Sequence, residues 1–387
     1  MDFSKYDDIR PLLPQEVPTA IQELLSNPEL KAIYSALGAK PSWDELPDLL
    51  GHCRSVADFK KAFSAGLVRF IMKNTCSSVA PLQGSEYLPN GEACTYISNH
   101  RDIILDSAFL NVLVYEAGGT FPEIAIGDNL LVTPWVEKLV KLNGNFLVRR
   151  NLQGREVLLA AKQLSGYMNE AVASGTPVWI AQREGRAKDS NDRTQPALLK
   201  MLSLSGGEKG IVNNLRKLNI IPMTCSYEYD PCDYLKAREM QLKRDMPDYK
   251  KSKAEDALNM KTGVLGFKGR VVQTLGKPLN TLLETYDFSE IPEGERPEAI
   301  AAILDREIHR NYTLYPINYI AADRLTGEDS YKTHYTNEDI VAFEQYLDKQ
   351  LARIEMPEGY TADTSFLIER ILEMYANPAL NQHKANS

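Results

Sequence analysis

A histidine with two nearby aspartates is the first set of residues that could do chemistry. The chain of 387 residues has five histidines, and His100 lies where an apolar run ends, in TYISNHRDIILDSAF (95–109). A carboxylate that binds an imidazole raises its basicity and fixes its tautomer, which makes the pair a general base. In NHRDIILD alone, Asp102 or Asp106 is more simply explained as a helix cap. His100 and Asp106 can pair only if His100 ends a strand and Asp106 lies in the first turn of the next helix, because at ~100° per residue they share no helix face.

Two further segments place charged residues directly after apolar, strand-like runs. They contribute these candidate binding residues: Arg149 and Arg150 in NGNFLVRRN (143–151), and Arg183, Glu184, Gly185, Arg186 and Lys200 in WIAQREGRAKDSNDRTQPALLK (179–200). The planar forks of arginine match phosphate and carboxylate, so both segments predict an anion site. Gly185, between an acid and a base, predicts a tight turn that aims both side chains. For each segment alone, a surface ion pair or a solvated loop is the commoner explanation.

The elements that must position these residues alternate between strands and helices. Strand-like runs lie at 93–98, 123–127, 145–149, 176–182 and 220–229. Amphipathic helices are predicted at Asp106–Ala117, Leu130–Leu142, Arg155–Ala173 and Glu208–Leu218. This alternation predicts an α/β domain with a mostly parallel sheet, in which functional groups gather beyond the carboxyl ends of the strands. The last run, IIPMTCSYEY, is predicted to be a core strand that ends near the site without chemistry of its own.

The chain is predicted to have three parts. Residues 1–88 form a helical N-terminal domain, residues 89–327 the α/β domain, and residues 328–387 a helical C-terminal extension. In the extension, Thr336 and Asp339 match a capping box. The final stretch, NPALNQHKANS, is expected to be frayed.

The composition argues against several classes of protein. Apolar residues make up 43% and charged residues 25%, which is ordinary for a globular protein, and the net charge of −8 argues against nucleic-acid binding. Five scattered cysteines without a CxxC pair indicate neither a metal site nor a disulfide framework. The N-terminus lacks the features of a signal peptide, and no apolar run approaches the ~20 residues that span a bilayer. We therefore expect a cytoplasmic protein with reduced thiols, either soluble or peripheral at the inner face of the membrane.

In order and spacing, four segments over residues 90–280 resemble the motif blocks of the glycerolipid acyltransferase superfamily, which includes glycerol-3-phosphate and 1-acylglycerol-3-phosphate acyltransferases. NHRDIILD is similar to its N-H-x4-D block, GNFLVRR to its glycine–strand–arginine block, AQREGRAK to its E-G-x-R-S block, and IIPMTCSYEY to its apolar block with proline. Two positions depart from the family pattern. Five residues, not four, separate His100 from Asp106, and Ala187 stands where the family has serine.

The resemblance implies that the protein moves a fatty acyl group from a thioester to a hydroxyl, without a cofactor or metal. It implies that His100 is the general base and Asp106 its partner, with Asp102 as the rival carboxylate. Arg149 and Arg186 would contact the anionic head of the acceptor. Further candidates for the same binding site are Arg150, Arg183, Glu184, Gly185 and Lys200.

The resemblance leaves the substrates open. The donor is acyl-CoA or acyl carrier protein. The acceptor is glycerol 3-phosphate, a lysophosphatidate, or a lyso-aminolipid such as an N-acylated amino acid with a free hydroxyl, since all present a hydroxyl near an anion. Two other classes compete: an acyl-thioester hydrolase, disfavoured because no G-x-S-x-G elbow occurs, and a non-catalytic lipid-binding protein.

Acyl chains need an apolar groove or contact with a membrane surface, and two segments could supply it. NLLVTPWVEKLVKL (129–142) is predicted to be a core helix, with an interfacial helix as the alternative. Residues 236–253 carry seven basic and three acidic side chains, so they could face anionic lipid, although a solvated helix is the default.

Overall fold

A seven-stranded sheet forms the centre of the protein. The structure, a computed structural model, describes residues 3–131 and 133–387. The strands are β1 (Ser78–Val79), β2 (Thr95–Ser98), β3 (Glu123–Gly127), β4 (Asn145–Val148), β5 (Val178–Ala181), β6 (Ile220–Tyr227) and β7 (Arg270–Leu275). Their spatial order is β1-β7-β6-β2-β5-β3-β4, and only the β6–β7 pair is antiparallel. Parallel neighbours place the carboxyl ends of β2, β3, β4 and β5 along one edge.

Helices cover both faces of this sheet and extend beyond it. They are α1 (Val17–Leu25), α2 (Pro28–Leu37), α3 (Leu46–Leu50), α4 (Val56–Phe59), α5 (Ala65–Thr75), α6 (Leu105–Glu116), α7 (Pro134–Leu142), α8 (Arg155–Ala173), α9 (Pro196–Leu202), α10 (Ile211–Arg216), α11 (Asp233–Asp245), α12 (Lys253–Leu265), α13 (Leu279–Leu283), α14 (Arg296–Arg310), α15 (Pro316–Thr326), α16 (Asn337–Leu351) and α17 (Thr364–Asn386). A π-helical segment, Lys60–Ser64, joins α4 to α5.

The predicted fold class is confirmed, because an α/β unit with a mostly parallel sheet is flanked by helices at both ends. The strands read as nearly continuous apolar runs since both faces are covered, and all four residues of β2 are buried. β1 and β7 were not among the predicted strands. The predicted helix Leu130–Leu142 begins later, at Pro134, and residue 132 of that prediction lies outside the described residues.

Both helical ends pack against the α/β domain, the N-terminal end against α7 and the sheet and the C-terminal end against α11 and α15. β1 lies within the predicted N-terminal domain, yet it pairs with β7. Tyr6 and Ile9 belong to the main core, and the Leu147 amide donates to the Ile9 carbonyl at 2.8 Å. At the other end, α17 continues to Asn386, so the predicted fraying is wrong; its last turns bury Ala379 and Ala385.

Candidate active site

A cleft of about 1370 Å³ opens at the carboxyl edge of the sheet. Much of its wall is apolar and comes from α5, α7 and α8, for example Leu67, Leu139 and Leu164. The predicted site residues that line it are His100, Arg149, Arg150, Arg183, Glu184, Gly185 and Arg186. Segments far apart in sequence therefore meet in one place, as the parallel sheet requires.

His100 and Asp106 form a hydrogen-bonded pair at this edge. His100 follows β2, Asp106 lies in the first turn of α6, and Nδ1 of the imidazole is 2.8 Å from Oδ2 of the carboxylate. The same Oδ2 accepts hydrogen bonds from the amides of Arg101 at 2.7 Å and Asp102 at 3.1 Å. The loop between strand and helix thus absorbs the extra residue that separates this pair from the family spacing.

The imidazole is held between a buried carboxylate and the open cleft. Asp106 is fully buried, whereas 14% of the His100 side chain is exposed. The ring of Trp179 packs edge-on against the imidazole, with centroids 5.9 Å apart. A histidine fixed through Nδ1 presents Nε2 to solvent or substrate, which is the arrangement a general base needs.

Asp102, the rival carboxylate, accepts hydrogen bonds from backbone amides and none from His100. Its Oδ1 accepts from the amides of Ile104 at 2.9 Å and Leu105 at 2.8 Å, so it caps the start of α6. Burial first, and then the charge of Asp106, raise the pKa of Asp102. The geometry therefore divides the two aspartates between helix capping and histidine binding, while their roles in catalysis stay predictions.

Asn99 and Arg101, on either side of His100, brace the loop. The Asn99 side chain donates to the Cys225 carbonyl at 3.0 Å and accepts from the Cys225 amide at 2.7 Å, which ties the end of β2 to β6. Arg101 forms a buried ion pair with Asp192, in which a guanidinium nitrogen lies 2.8 Å from Oδ2. These enclosed contacts hold the loop that presents His100 in place.

Tyr227, at the end of β6, was not among the predicted site residues, although its strand was predicted to end near the site. Its buried hydroxyl lies beside the buried carboxylate of Asp106. Burial, followed by the charge of Asp106, raises the pKa of Tyr227 well above its ordinary value, so the phenol stays neutral beside the pair. Only the position of the tyrosine at a strand's carboxyl end hinted at this placement.

The arginines of the cleft differ in their partners. Arg149 forms an ion pair with Asp8, and Arg150 forms one with Glu184 at 2.6 Å. Arg183 and Arg186 form no ion pair with any carboxylate that the structure describes. Arg186 donates to the side-chain oxygen of Asn259 at 3.3 Å, and the buried Nε of Arg183 lacks a hydrogen-bond partner among the described residues. Neither guanidinium group is within ion-pair distance of a described carboxylate, although the charge of Arg186 still acts on the buried carboxylates of Asp102 and Asp230.

The turn after β5 is shaped by Gly185. Its φ of +68° lies in the left-handed region that favours glycine, while a Cβ there would meet no atom within 4 Å. The predicted tight turn is therefore present, and backbone conformation rather than space explains the glycine.

The structure does not bring Lys200 into the cleft. It lies on α9 and pairs with Glu298 at 3.3 Å. The sequence argument overlooked Lys188, which lines the cleft and pairs with Glu239. Burial lowers the pKa of Lys188 to about 8. Its position two residues after Arg186 was the available signal.

The arrangement supplies a base, a cationic pocket and an apolar wall, which suits transfer of an acyl group to a hydroxyl beside an anion. Among the described residues, no group of three or more His, Cys, Asp or Glu side chains is placed to hold a metal ion. Nor does any helix in the described ranges have the length and apolarity needed to cross a membrane.

Comparison with known proteins identifies the segment that carries this site. A family model described as Acyltransferase matches residues 80–228. No curated protein matches the chain. Among solved structures, the chain is similar to the 1-acyl-sn-glycerophosphate (LPA) acyltransferase PlsC from Thermotoga maritima, with 12% identity, a TM-score of 0.37, and coverage of 77% of this chain and 94% of that one.

The matched segment contains His100, Asp106 and the cleft arginines. The match of the family model to this segment confirms the family that the four sequence blocks predict. Residues 80–228 match the acyltransferase family model, and this match supports an acyltransferase enzyme.

Proposed function

We propose that the protein transfers a fatty acyl group from an acyl thioester to a hydroxyl of an anionic glycerolipid precursor, glycerol 3-phosphate or a lysophosphatidate. One observation carries the proposal. A single cleft is lined by His100, whose imidazole is bound by the buried Asp106, by an apolar wall, and by two guanidinium groups, Arg183 and Arg186, that form no ion pair with a described carboxylate. An acyl chain, a reacting hydroxyl and an anionic head each have a matching surface there.

His100 acts as the general base. As the acceptor oxygen forms a bond to the thioester carbonyl carbon, Nε2 takes the hydroxyl proton and Asp106 stabilises the imidazolium. The tetrahedral intermediate then breaks its carbon–sulfur bond, and the imidazolium returns the proton to the departing thiolate. The products are an ester and a free thiol. The thioester is already activated, so no covalent enzyme intermediate is needed.

The turn after β5 supplies two kinds of group. Arg183 and Arg186 bind the acceptor's anion by charge-assisted hydrogen bonds. The Glu184 amide is bonded to Oε1 of Gln195 at 2.8 Å, which leaves the amides of Gly185 and Arg186 as the candidate donors to the developing oxyanion.

The acyl donor is acyl-CoA or an acylated acyl carrier protein. Acyl transfer takes place at the cytoplasmic surface of a membrane. The apolar wall accommodates the acyl chain. α7 contributes Trp135 and Leu139 to this wall. Residues 129–142 therefore fit the predicted core helix better than the interfacial helix.

A thiol-release assay tests the function. Acyl-CoA is incubated with and without glycerol 3-phosphate or lysophosphatidate, and free thiol and esterified product are measured together. We expect release that depends on the acceptor and matches ester formation. His100→Ala should lower kcat/KM by about 10²–10⁴-fold, the usual contribution of general-base catalysis.

Two outcomes would contradict the proposal. Thiol release that is equal with and without acceptor identifies a thioester hydrolase. Release with an N-acylated amino acid but with neither glycerolipid precursor identifies the lyso-aminolipid acceptor. Circular dichroism of His100→Ala controls for folding.

A further inference from the structure

Exposed apolar side chains concentrate around the cleft. Of the thirteen large apolar residues that are exposed in the described chain, seven lie on elements that border it. They are Ile104 at the start of α6, Val157, Leu158 and Leu159 on α8, and Leu258, Leu265 and Phe267 on and just after α12. Single exposed apolar residues need no explanation, but a cluster beside a binding site marks an interaction surface.

Helix α12 has one face toward the cleft and another toward solvent. Met260 and Val264 line the cleft. Leu258 and Leu265 are seven residues apart and share the solvent face, and Phe267, 57% exposed, follows the helix. The helix is therefore a wall of the cleft whose outer side is apolar.

Unpaired positive charge lies on α12 and just before it, with Lys261 beside the apolar outer stripe, Lys253 at the first residue of the helix and Lys250 in the preceding loop. Lys250, Lys253 and Lys261 are exposed and form no ion pair with the described residues. The two carboxylates of the first turn are already bound, Glu255 to Arg238 at 2.8 Å and Asp256 to Lys251 at 2.7 Å. An apolar stripe with free lysines, on a chain of net charge −8, is complementary to an anionic lipid surface.

The first turns of α8 present a second apolar group at the cleft. Val157, Leu158 and Leu159 are consecutive and each at least 50% exposed, and Val157 also lines the cleft. Three adjacent exposed apolar residues are unusual on a globular surface unless they have a partner. Arg155 and Glu156, both exposed at the start of the same helix, together add no net charge, so this group contributes apolar contact.

Much of the two segments whose composition suggested lipid contact is bound to other parts of the chain, and the exposed Lys250 and Lys253 at the end of residues 236–253 are the exception. On α7, the Trp135 indole donates to Glu29 at 2.8 Å and Lys138 pairs with Glu23. In residues 236–253, Lys236 is buried against Asp230, and Lys243 pairs with Glu239 at 3.1 Å.

We infer that the outer face of α12, together with the first turns of α8, docks on an anionic bilayer, so that the cleft opens at the lipid surface. This inference rests on the proposed function and names the surface through which it meets the membrane. A lysolipid acceptor then reaches His100 from the bilayer, and the diacyl product returns there without crossing water.

Vesicle co-sedimentation tests the surface. The full chain is mixed with vesicles of phosphatidylglycerol and phosphatidylcholine, or of phosphatidylcholine alone. The variant Leu258→Ser/Leu265→Ser/Phe267→Ser should weaken partitioning by about tenfold or more, because each side chain loses apolar burial. The matched control is Ile33→Ser/Leu49→Ser/Val341→Ser, whose three positions are exposed elsewhere on the molecule. It should bind like the wild type.

A charge variant provides the second arm. Lys250→Gln/Lys253→Gln/Lys261→Gln should weaken binding several-fold to phosphatidylglycerol vesicles, with the loss shrinking at high salt, and leave binding to phosphatidylcholine unchanged. Equal binding of the wild type and the apolar variant would overturn the inference. A wild-type dimer that the apolar variant converts to monomers in size-exclusion chromatography would overturn it too, since the face would then bind a second copy.

Activity on a water-soluble acceptor separates this surface from the function itself. Both variants should release thiol at the wild-type rate with glycerol 3-phosphate or a short-chain lysophosphatidate, because none of the changed residues lines the cleft. Acceptor-dependent release without vesicle binding refutes only the docking surface. Vesicle binding without acceptor-dependent release refutes only the proposed function.

Discussion

The two arginine pairs of the cleft stand at the ends of two strands in one sheet, yet they differ in electrostatic state. Arg149 and Arg150 follow β4 and are each bound to a carboxylate. Arg183 and Arg186 follow β5 and have none among the described residues. The partner of Arg149 is Asp8, which lies 141 positions earlier in the chain. Strand ends can be recognised in a sequence, but whether a charge is available for a ligand depends on long-range packing.

The difference predicts where the acceptor's anion binds. An arginine already held by a carboxylate must give up that contact, or share it, before it gains anything from a ligand. A partly buried arginine without a partner gains the whole of a charge-assisted hydrogen bond, about 1.5–3 kcal/mol. The β5 pair should therefore dominate acceptor binding.

Removing each pair in turn gives the largest expected contrast. Arg183→Ala/Arg186→Ala should lower kcat/KM for a phosphate-bearing acceptor by about 10²–10⁴-fold, since two charge-assisted hydrogen bonds are lost. Arg149→Ala/Arg150→Ala, the matched control, should lower it by about tenfold or less. Initial rates at limiting acceptor concentration measure kcat/KM. Equal losses in both variants would mean that the two arginine pairs contribute equally to acceptor binding.

Titration of Lys188 should make acceptor binding on the β5 side depend on pH, unlike any binding by the arginines after β4. Its pKa is lowered to about 8, chiefly by burial, so this third cation near the β5 turn loses its proton as pH rises through that value, whereas the β4 arginines stay charged. KM for the acceptor should rise several-fold between about pH 7 and about pH 9. In Lys188→Met this rise should disappear. A wild-type KM that is flat over this range would show that Lys188 does not contact the acceptor.

Releasing the β4 pair should have the smallest effect. Asp8→Asn and Glu184→Gln free Arg149 and Arg150 from their carboxylates. Exposed ion pairs contribute about 0–1 kcal/mol, so the unfolding free energy should change little and KM for the acceptor by about twofold or less. Thermal unfolding and acceptor titration measure both. A tenfold fall in KM would mean that the β4 pair binds the anion once it is released.

The parts of the fold set by local apolar pattern were predictable. The predicted runs at 123–127 and 145–149 correspond to β3 and β4, and the predicted helix Arg155–Ala173 has the observed bounds. β1 was missed because two residues carry too little pattern. α17 was expected to fray at its polar end, but burial of its last turns overrides the weak helical propensity there.

The site was predictable where adjacent elements determine it. The contact between His100 and Asp106 follows from a strand end and the next helix start, so the sequence could suggest it. Tyr227 and Lys188 were missed because their roles depend on what packs beside them. Lys200 was grouped with the site by proximity in sequence, and α9 turns it toward Glu298 instead.

The division between the two aspartates is the central claim, and acceptor-dependent thiol release in Asp106→Asn and Asp102→Asn tests it most directly. Asparagine preserves shape at both positions and can still cap α6 at position 102. We predict that Asp106→Asn loses about 10²–10⁴-fold in kcat/KM, while Asp102→Asn stays within about tenfold of the wild type. A collapse of activity in Asp102→Asn alone, with Asp106→Asn near the wild type, would contradict the account.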